Sequence, residues 1–177
     1  MVEDEYILKI CSAGSYQVGK TSLIRRYAEN TFNDDYLPTL GVDITTKRII
    51  VDDKPIKLIL MDTAGQEMFG NIRRSYFEGC AGCLIVYDIT RRESFDSLDR
   101  WVADFRSTKE RETTPIVIIG NKKDLEVDRK VDPKEGQTFA EGKGNVPFYE
   151  CSAKAGGSEI PEIYVYLARE YLATVQR

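Results

Sequence analysis

The chain has 177 residues and a formal net charge of −4, from 29 acidic and 25 basic side chains. Its hydrophobic share of 42% and charged share of 31% are typical of a soluble globular protein and exclude a disordered or membrane-spanning chain. No block of basic residues could neutralise a run of phosphates, so we expect no nucleic-acid partner. The length favours a single domain over residues 1–177, with a core that needs no disulfide.

The ends of the sequence bear on where the protein acts. The segment from Met1 to Glu5 lacks the basic and then apolar profile of a signal peptide, and Val2 stands where myristoylation requires glycine. The last residues, Ala173 to Arg177, contain no polybasic tail and no cysteine for prenylation, so either a lipidated tail was removed or there is no anchor. We expect a cytoplasmic protein, and the sequence leaves peripheral membrane association open.

Four cysteines are present, and two of them form a Cys80-x-x-Cys83 pair that could indicate a metal or redox site. A structural zinc site needs four ligands, however, and the chain has no histidine. The alternative is that small thiols pack in the core of a protein from a reducing compartment. We expect that packing role for Cys80 and Cys83, as well as for Cys11 and Cys151.

The first elements in chain order are a strand, a glycine-containing loop and a helix. The apolar run from Tyr6 to Cys11 predicts the strand, and Ser22 to Ala28 has helical periodicity. Between them lies a match to G-x-x-x-x-G-K-[ST], the loop whose backbone N–H groups surround a nucleotide's phosphates. Lys20 would neutralise the β- and γ-phosphates, and Thr21 would offer a hydroxyl to Mg²⁺. The predicted phosphate-binding residues are Gly14, Ser15, Tyr16, Gln17, Val18, Gly19, Lys20, Thr21 and Ser22.

The remaining strands follow in two groups. Two apolar runs, residues 42–51 and 56–61, flank the short turn 52–55 and predict the one antiparallel hairpin. Three later runs are β-branched or aromatic and almost continuously apolar, so we expect them to be buried on both faces in a parallel sheet. Those three runs are Cys83 to Asp88, Ile116 to Gly120 and Val146 to Cys151.

Capping signals predict where the later helices begin. Thr90 to Glu93 reads as a capping box that opens a helix continuing to about Thr108, Asp132 to Glu135 opens another, and Ser158 starts the last. Strands and helices alternate, so the expected fold is a doubly wound, three-layer α/β domain of the P-loop NTPase type. Its six-stranded sheet would be mostly parallel with one antiparallel edge strand, and its ligand would bind at the carboxyl ends of the strands.

Two further loops carry matching chemistry at those strand ends. After the 56–61 run, Asp62 would hold Mg²⁺, Gly65 would bring its N–H to the γ-phosphate and Gln66 would orient an attacking water. After the 116–120 run, Asp124 could accept both N1–H and N2–H of guanine, whereas adenine would leave it unpaired.

Several neighbours of Asp124 complete the predicted guanine site. Ser152 and Ala153 would donate to guanine O6, and the stem of Lys122 would cover the ring face. The predicted guanine-binding residues are Asn121, Lys122, Asp124, Ser152, Ala153 and Lys154.

With these motifs in this order, the chain resembles small GTPases of the Ras superfamily over essentially its whole length. The stretches 41–43, 85–90 and 93–95 are similar to those of the Rab branch. The resemblance implies that Phe32 packs on the guanine edge, Tyr36 closes over the phosphates and Thr39 supplies a second hydroxyl to Mg²⁺. It also implies two switches, at about residues 34–42 and 64–76, that are ordered by the γ-phosphate.

The resemblance further implies a GTP/GDP-binding monomer that hydrolyses GTP with Mg²⁺ and serves in trafficking or signalling. Effector proteins would bind through residues 34–50 and 64–76, and an exchange factor and an activating protein would control the cycle. Catalysis would rest on Gln66, Lys20, Thr39 and Gly65, mainly through positioning and charge stabilisation of in-line water attack.

Three departures from the family pattern matter. Tyr16 stands where glycine or serine is usual, and we hypothesise that it slows turnover or excludes an arginine finger. No arginine lies between Thr31 and Gly41, which implies slow intrinsic turnover and an activator that supplies arginine in trans. Ile44 and Met61 replace the phenylalanine and tryptophan that Rab proteins usually present to effectors together with the residue at Tyr76.

Two other functions stay open at this point. One is a GTP-binding adaptor that hydrolyses little or no GTP because of Tyr16. The other is a phosphate-loop kinase or metabolic NTPase, which would need a second substrate pocket and a lid. The stretch Glu126 to Lys130 is the only free segment for a lid, and it is too short to cover a substrate.

Overall fold

The computed structural model describes residues 5–35, 39, 41–63, 75–107 and 109–175. The strands are β1 (Tyr6–Ala13), β2 (Val42–Val51), β3 (Lys54–Thr63), β4 (Gly82–Asp88), β5 (Ile116–Asn121) and β6 (Phe148–Glu150). The helices are α1 (Lys20–Glu29), α2 (Arg92–Asp96), α3 (Leu98–Phe105), α4 (Pro133–Gly142) and α5 (Glu159–Val175). Two 3₁₀ segments, Lys109–Arg111 and Lys123–Asp128, lie beside β5 in the chain.

The six strands form one sheet in the order β2-β3-β1-β4-β5-β6. Neighbouring strands are parallel except β2 and β3, which are antiparallel and place β2 at the edge. The turn between them consists of two residues, Asp52 and Asp53, and both have positive φ. A two-residue hairpin turn needs this conformation to match the right-handed twist of its strands. The predicted fold class and hairpin are confirmed.

Alternate side chains of the strands enter two cores, one on each face of the sheet. On one face Ile10 and Leu58 pack with α1 and α5, for example against Leu23 and Leu167. On the other face Cys11 and Ile85 pack with the helices α2 to α4. Strands β4 and β5 are buried along their whole length, as their continuous apolar runs predict.

The prediction of burial on both faces is wrong for β6. This strand is three residues long, Phe148–Glu150, and all of its side chains are only half-buried. It lies at the edge of the sheet next to β5, where only one neighbouring strand covers it. At this edge, the Glu150 carboxylate forms an ion pair with the Arg129 guanidinium at 2.7 Å.

The predicted capping box at Thr90 is also wrong. The cap residue is Arg91, which makes no side-chain cap, while the Thr90 hydroxyl donates to the Asp88 carboxylate at 2.7 Å. The single helix expected up to Thr108 is divided into α2 and α3 at Ser97, whose hydroxyl donates to the Ser94 carbonyl at 2.9 Å. A side chain that bonds the backbone locally in this way competes with regular helix.

The other two predicted helix starts are confirmed. Asp132 accepts from the Lys134 N–H and Glu135 reaches back to the Asp132 N–H, so both halves of a capping box are present before α4. Helix α5 begins one residue after Ser158.

The four cysteines are reduced and buried. Burial raises the pKa of Cys11 and Cys83, and it raises that of Cys151 to about 12, which makes these thiols unreactive. Within the described ranges, no group of three or more cysteine, aspartate and glutamate side chains is arranged to hold a metal. Their surroundings are those of core packing.

Candidate functional site

One cleft of about 500 Å³ opens where β1, β4 and β5 end, and its walls contain most of the predicted binding residues. Its size suits a small-molecule ligand. The predicted residues that line it are Tyr16, Gln17, Gly19, Lys20, Thr21, Ser22, Phe32, Thr39, Asn121, Lys122, Asp124, Ala153 and Lys154. Gly14, Ser15, Val18, Asp62 and Ser152 lie behind this wall, and Tyr36, Gly65 and Gln66 fall outside the described residues.

The phosphate loop leaves β1 at Ala13 and enters α1 at Lys20, so the two glycines of its motif bracket a tight turn. A Cβ on Gly14 would lie 2.2 Å from the Val86 carbonyl oxygen, which no side chain could tolerate. Gly19 has a φ of +94°, and a Cβ there would lie 2.2 Å from the side-chain amide of Asn121. Gly14 is therefore required by the close approach of the β4 backbone, and Gly19 by its positive φ and the nearby Asn121 side chain.

Lys20 is folded back onto this loop. Its ammonium donates to the carbonyls of Gly14 at 3.0 Å and Ser15 at 2.9 Å, and the side chain is 5% exposed. Burial lowers the pKa of Lys20 from 10.5 to about 8, the Asp62 carboxylate opposes that change, and the charge of Arg91 adds to it. An anion in the cleft would stabilise this poorly solvated cation.

Three oxygen-bearing side chains meet beside Lys20. The Thr21 hydroxyl donates to Asp62 Oδ2 at 2.5 Å, and the Thr39 hydroxyl lies 2.9 Å from Thr21 Oγ1 and 3.3 Å from the same carboxylate oxygen. Asp62 is 3% exposed, and its other oxygen, Oδ1, is buried without a hydrogen-bond partner. Burial raises the pKa of Asp62, while the Thr21 hydrogen bond and the charge of Lys20 lower it.

This arrangement fits the Mg²⁺ that a nucleotide site of this kind uses. Hard oxygen donors are the ligands that Mg²⁺ prefers, and a bound cation would satisfy the unpartnered oxygen of Asp62. Thr21 comes from α1, Asp62 from β3 and Thr39 from the loop before β2. A metal held here would therefore connect that loop to the phosphate site.

The other end of the cleft is organised around Asn121 at the end of β5. Its side-chain N–H donates to the Val18 carbonyl at 2.9 Å, and its oxygen accepts from the Ala153 N–H at 3.1 Å. Asn121 therefore ties the phosphate loop to the segment 152–156, which we call the base loop. Asp124 is exposed in the cleft, and one of its oxygens accepts from the Ser152 hydroxyl at 2.5 Å.

Both donors that the sequence assigned to guanine O6 already have partners within the protein. The Ala153 N–H is used by Asn121, and the Ser152 hydroxyl is used by Asp124. A base that binds here would share or replace these bonds. The bond from Ser152 holds the Asp124 carboxylate at the cleft wall.

Several side chains of the cleft were not predicted from the sequence, and three of them are charged groups close to the predicted binding residues. Asp88, which is 1% exposed, pairs with the Lys122 ammonium at 2.6 Å and so fixes the lysine that would cover the ring. Arg25 and Arg91 also line the cleft, although no arginine lies between Thr31 and Gly41. Asp88 could have been predicted, since a single acid at the end of an apolar strand is typical of a functional residue. The two arginines have no such pattern and look like ordinary surface residues in the sequence.

Comparison with known proteins identifies the family. A model of the Ras family matches residues 9–173 of the chain. The chain belongs to the Ras family. Within the Ras family, it is similar to Ypt/Rab-type GTPase avaA of Emericella nidulans, with 37% identity over 171 residues that cover 94% of this chain and 83% of the relative.

Two other Ras-family relatives point the same way. Ypt/Rab-type GTPase Rab7 of Neurospora crassa is 36% identical over 170 residues, or 94% of this chain and 82% of that protein. Ras-related protein RABA6a of Arabidopsis thaliana is 38% identical over 175 residues, or 99% of this chain and 74% of that protein. The chain is a Rab-like small GTPase, a GTP-binding protein that hydrolyses GTP. The kinase alternative is set aside, and the relatives give no support to a non-hydrolysing adaptor.

The three positions that Rab-branch proteins use toward effectors have different surroundings here. Ile44 is 58% exposed on edge strand β2, whereas Met61 is 7% and Tyr76 4% exposed. The Tyr76 hydroxyl donates to the Met61 backbone carbonyl at 2.7 Å and accepts from the Ser12 N–H at 3.2 Å, and these bonds hold the Tyr76 side chain in the core. Only Ile44 of the three therefore lies at the surface. In the described part of the chain, no helix combines the length and the apolar character that crossing a membrane requires.

Proposed function

We propose that this Rab-like GTPase is a GTP/GDP switch of vesicle trafficking, with the phosphates held at the Lys20 end of the cleft and guanine selected at the Asp124 end. The observation that carries the proposal is the meeting of the Thr21, Thr39 and Asp62 oxygens. Thr39 belongs to the first switch segment, so its position would report whether the γ-phosphate is present. If the γ-phosphate orders this loop, the surface that a partner protein can bind differs between the GTP-bound and GDP-bound states.

The chain's own residues would perform the hydrolysis mainly by positioning. Lys20 would place its charge against the β- and γ-phosphates, and Gln66 would orient a water for in-line attack on the γ-phosphorus, releasing GDP and phosphate. Gly65 would donate its N–H to the γ-phosphate. Thr21, Thr39 and Asp62 would hold Mg²⁺, which supplies neutralising charge to the phosphate oxygens.

The base would be selected by hydrogen bonding. Asp124 would accept from N1–H and N2–H of guanine, while Lys122 and Phe32 would pack against the ring. Adenine offers no such donor pair, so the carboxylate would lose water and gain no donor from the base, which costs about 1–3 kcal/mol or more for a charged group. Tyr36 would close over the phosphates.

The partners follow from the same cycle. We propose effector proteins that contact residues 34–50 and 64–76, a guanine-nucleotide exchange factor, and an activating protein that supplies arginine in trans. Intrinsic turnover would be slow, because the stretch from Thr31 to Gly41 has no arginine. We further propose that the chain is a single domain and a monomer, and that it acts in the cytoplasm with any membrane association being peripheral.

The test is the identity of the nucleotide that the protein carries. Purified protein is loaded with an equimolar mixture of GTP and ATP in Mg²⁺ and washed, and the bound nucleotide is released by denaturation and identified by chromatography. We expect close to one guanine nucleotide per chain, and its loss when EDTA removes Mg²⁺. Adenine nucleotide, or no nucleotide at all, would contradict the proposal.

A further inference from the structure

Helix α1 carries an arginine in its last turn that reaches the base loop. The side chain of Arg26 is half-buried, and it is the basic residue of that turn. We propose that Arg26 is a positioning residue that holds the base loop, residues 152–156, in place and thereby sets the lifetime of bound guanine nucleotide. This inference rests on the proposed function, since it assumes that the base loop lies against guanine.

The contacts of Arg26 are directed at backbone carbonyls of the base loop. Its Nε donates to the Ala153 oxygen at 2.8 Å, and its Nη2 donates to the Lys154 oxygen at 2.7 Å. The remaining nitrogen, Nη1, donates to the backbone and side-chain oxygens of Asn30 at 3.3 Å each. Asn30 is the C-cap residue of α1, so the guanidinium is hydrogen-bonded to the end of its own helix and to the base loop at the same time.

Among the described residues, hydrogen bonds from the opposite side of the base loop and bonds within it also hold the loop. The Ala153 N–H bonds to Asn121, and the Ser152 hydroxyl bonds to Asp124. The Gly156 N–H closes the loop on the Ser152 carbonyl at 2.8 Å. Both polar backbone groups of Ala153 are thus engaged, one toward β5 and one toward α1. Removing Arg26 would release one of these two anchors.

A second link between the base loop and the rest of the cleft is weaker. The Lys154 ammonium pairs with Asp34 at 2.7 Å, but the two side chains are 55% and 76% exposed. Such solvent-exposed pairs contribute little, because water screens them and long side chains lose freedom. Charge-assisted bonds from a half-buried guanidinium are stronger. Arg26 is therefore the main connection of the loop to α1.

The geometry also distinguishes arginine from lysine at this position. Two N–H donors of the rigid, planar guanidinium bond to the carbonyls of two successive residues, Ala153 and Lys154. A lysine ammonium cannot reproduce this two-donor geometry. The same helix begins with Lys20 and Thr21 at the phosphates. Through Arg26, α1 contacts both ends of the nucleotide cleft.

The experiment measures release of a fluorescent GDP from the Mg²⁺-loaded full chain, for the wild type, Arg26→Gln and Arg26→Lys. The control is Arg169→Gln, which removes a surface arginine that pairs with Asp52 at 3.2 Å, away from the cleft. Single-turnover hydrolysis of prebound GTP is measured on each variant. We expect release to be about tenfold faster for Arg26→Gln and about threefold faster for Arg26→Lys. Hydrolysis of GTP that stays bound, and the control variant, should be unchanged.

Three results would overturn the inference in distinguishable ways. Release within twofold of the wild type in a folded Arg26→Gln protein would show that the base loop does not depend on this residue. Parallel changes in release, hydrolysis and melting temperature would make Arg26 a general structural residue. If the wild type itself failed to retain GDP, the proposed function would fail, and this inference with it.

Discussion

The phosphate end of the cleft is assembled from buried groups, whereas the base end exposes the side chains that would meet the ring. Lys20 and Asp62 are 5% and 3% exposed, while Asp124 lies open to solvent. The support for Asp124 is buried instead: Asn121 and Ser152, behind it, are 1% and 5% exposed.

This difference follows from what each end must bind. The negative charge of a triphosphate would offset the cost of burying Lys20, and Mg²⁺ would offset the cost of burying the Asp62 carboxylate, so the phosphate end can supply most of the affinity. A neutral base would offer no such compensation, and in the proposed function it would be recognised by a carboxylate that stays solvated until the correct donors arrive. The base end therefore depends on how firmly a few exposed groups are held from behind.

The largest expected effect comes from removing the cation of the phosphate end. Lys20→Met should weaken GTP binding by about a thousandfold, since charge-assisted bonds to two phosphates are lost. The nucleotide-free protein should become more stable, by up to about 3 kcal/mol, because a lysine whose pKa is lowered to about 8 is costly to bury in its charged form. Calorimetry and urea unfolding measure the two effects. Lys134→Met on exposed α4 is the control and should change neither.

A smaller effect should follow from the hydroxyl that joins the first switch segment to Asp62. Thr39→Val should make nucleotide release about tenfold faster in excess Mg²⁺ and change release much less in EDTA, because the hydroxyl would bind the metal and its bonds to Thr21 and Asp62 alone are weaker. Thr46→Val, on exposed β2, is the matched control. Equal acceleration with and without Mg²⁺ would mean that Thr39 supports the loop and not the metal.

The buried lysine also predicts opposite pH effects on binding and on stability. In the nucleotide-free protein the pKa of Lys20 is about 8, against 10.5 when it is solvated. Between these values the unfolded chain binds more protons than the folded one, so stability should rise with pH. GTP affinity should fall in the same window, by up to about tenfold per pH unit, because binding requires the ammonium.

Titration calorimetry in buffers of different ionisation enthalpy should detect proton uptake on GTP binding above pH 8. Lys20→Arg should abolish the uptake, because a guanidinium stays protonated in this range. Proton release, or no proton exchange in the wild type, would contradict the assignment of Lys20.

The smallest effect belongs to the exposed ion pair of the base end. Asp34→Asn should accelerate GDP release by no more than about fivefold, because exposed pairs contribute about 0.2–1 kcal/mol. Stopped-flow release at low and high salt measures it, and the difference from the wild type should vanish at high salt. If Asp34→Asn accelerated GDP release more than Arg26→Gln does, the Lys154–Asp34 ion pair would hold the base loop more strongly than Arg26 does.

Much of this architecture is readable from the sequence, because its signals are local. The phosphate loop is set by Gly14 and Gly19, and the Asp132 capping box starts its helix as predicted. The misses involve hydroxyl side chains that have several local hydrogen-bond partners to choose from, and the sequence does not show which bond forms. Thr90 satisfies Asp88 instead of capping a helix, and Ser97 divides one.

The supporting contacts of the site were equally hidden. Arg26 bonds residues more than a hundred positions away, and the Asp88–Lys122 pair joins two strand ends. A linear pattern shows which residues can carry chemistry, but only the packed fold shows what holds them. The roles of Tyr36, Gly65 and Gln66 stay predictions, since these residues fall outside the described part of the chain.

The most direct test of the account compares GTP and ATP binding by calorimetry for the wild type and Asp124→Ala. We expect the wild type to prefer GTP by at least about a hundredfold and the variant to lose most of this preference through weaker GTP binding. ATP bound as tightly as GTP by the wild type, or a preference that survives in Asp124→Ala, would contradict it.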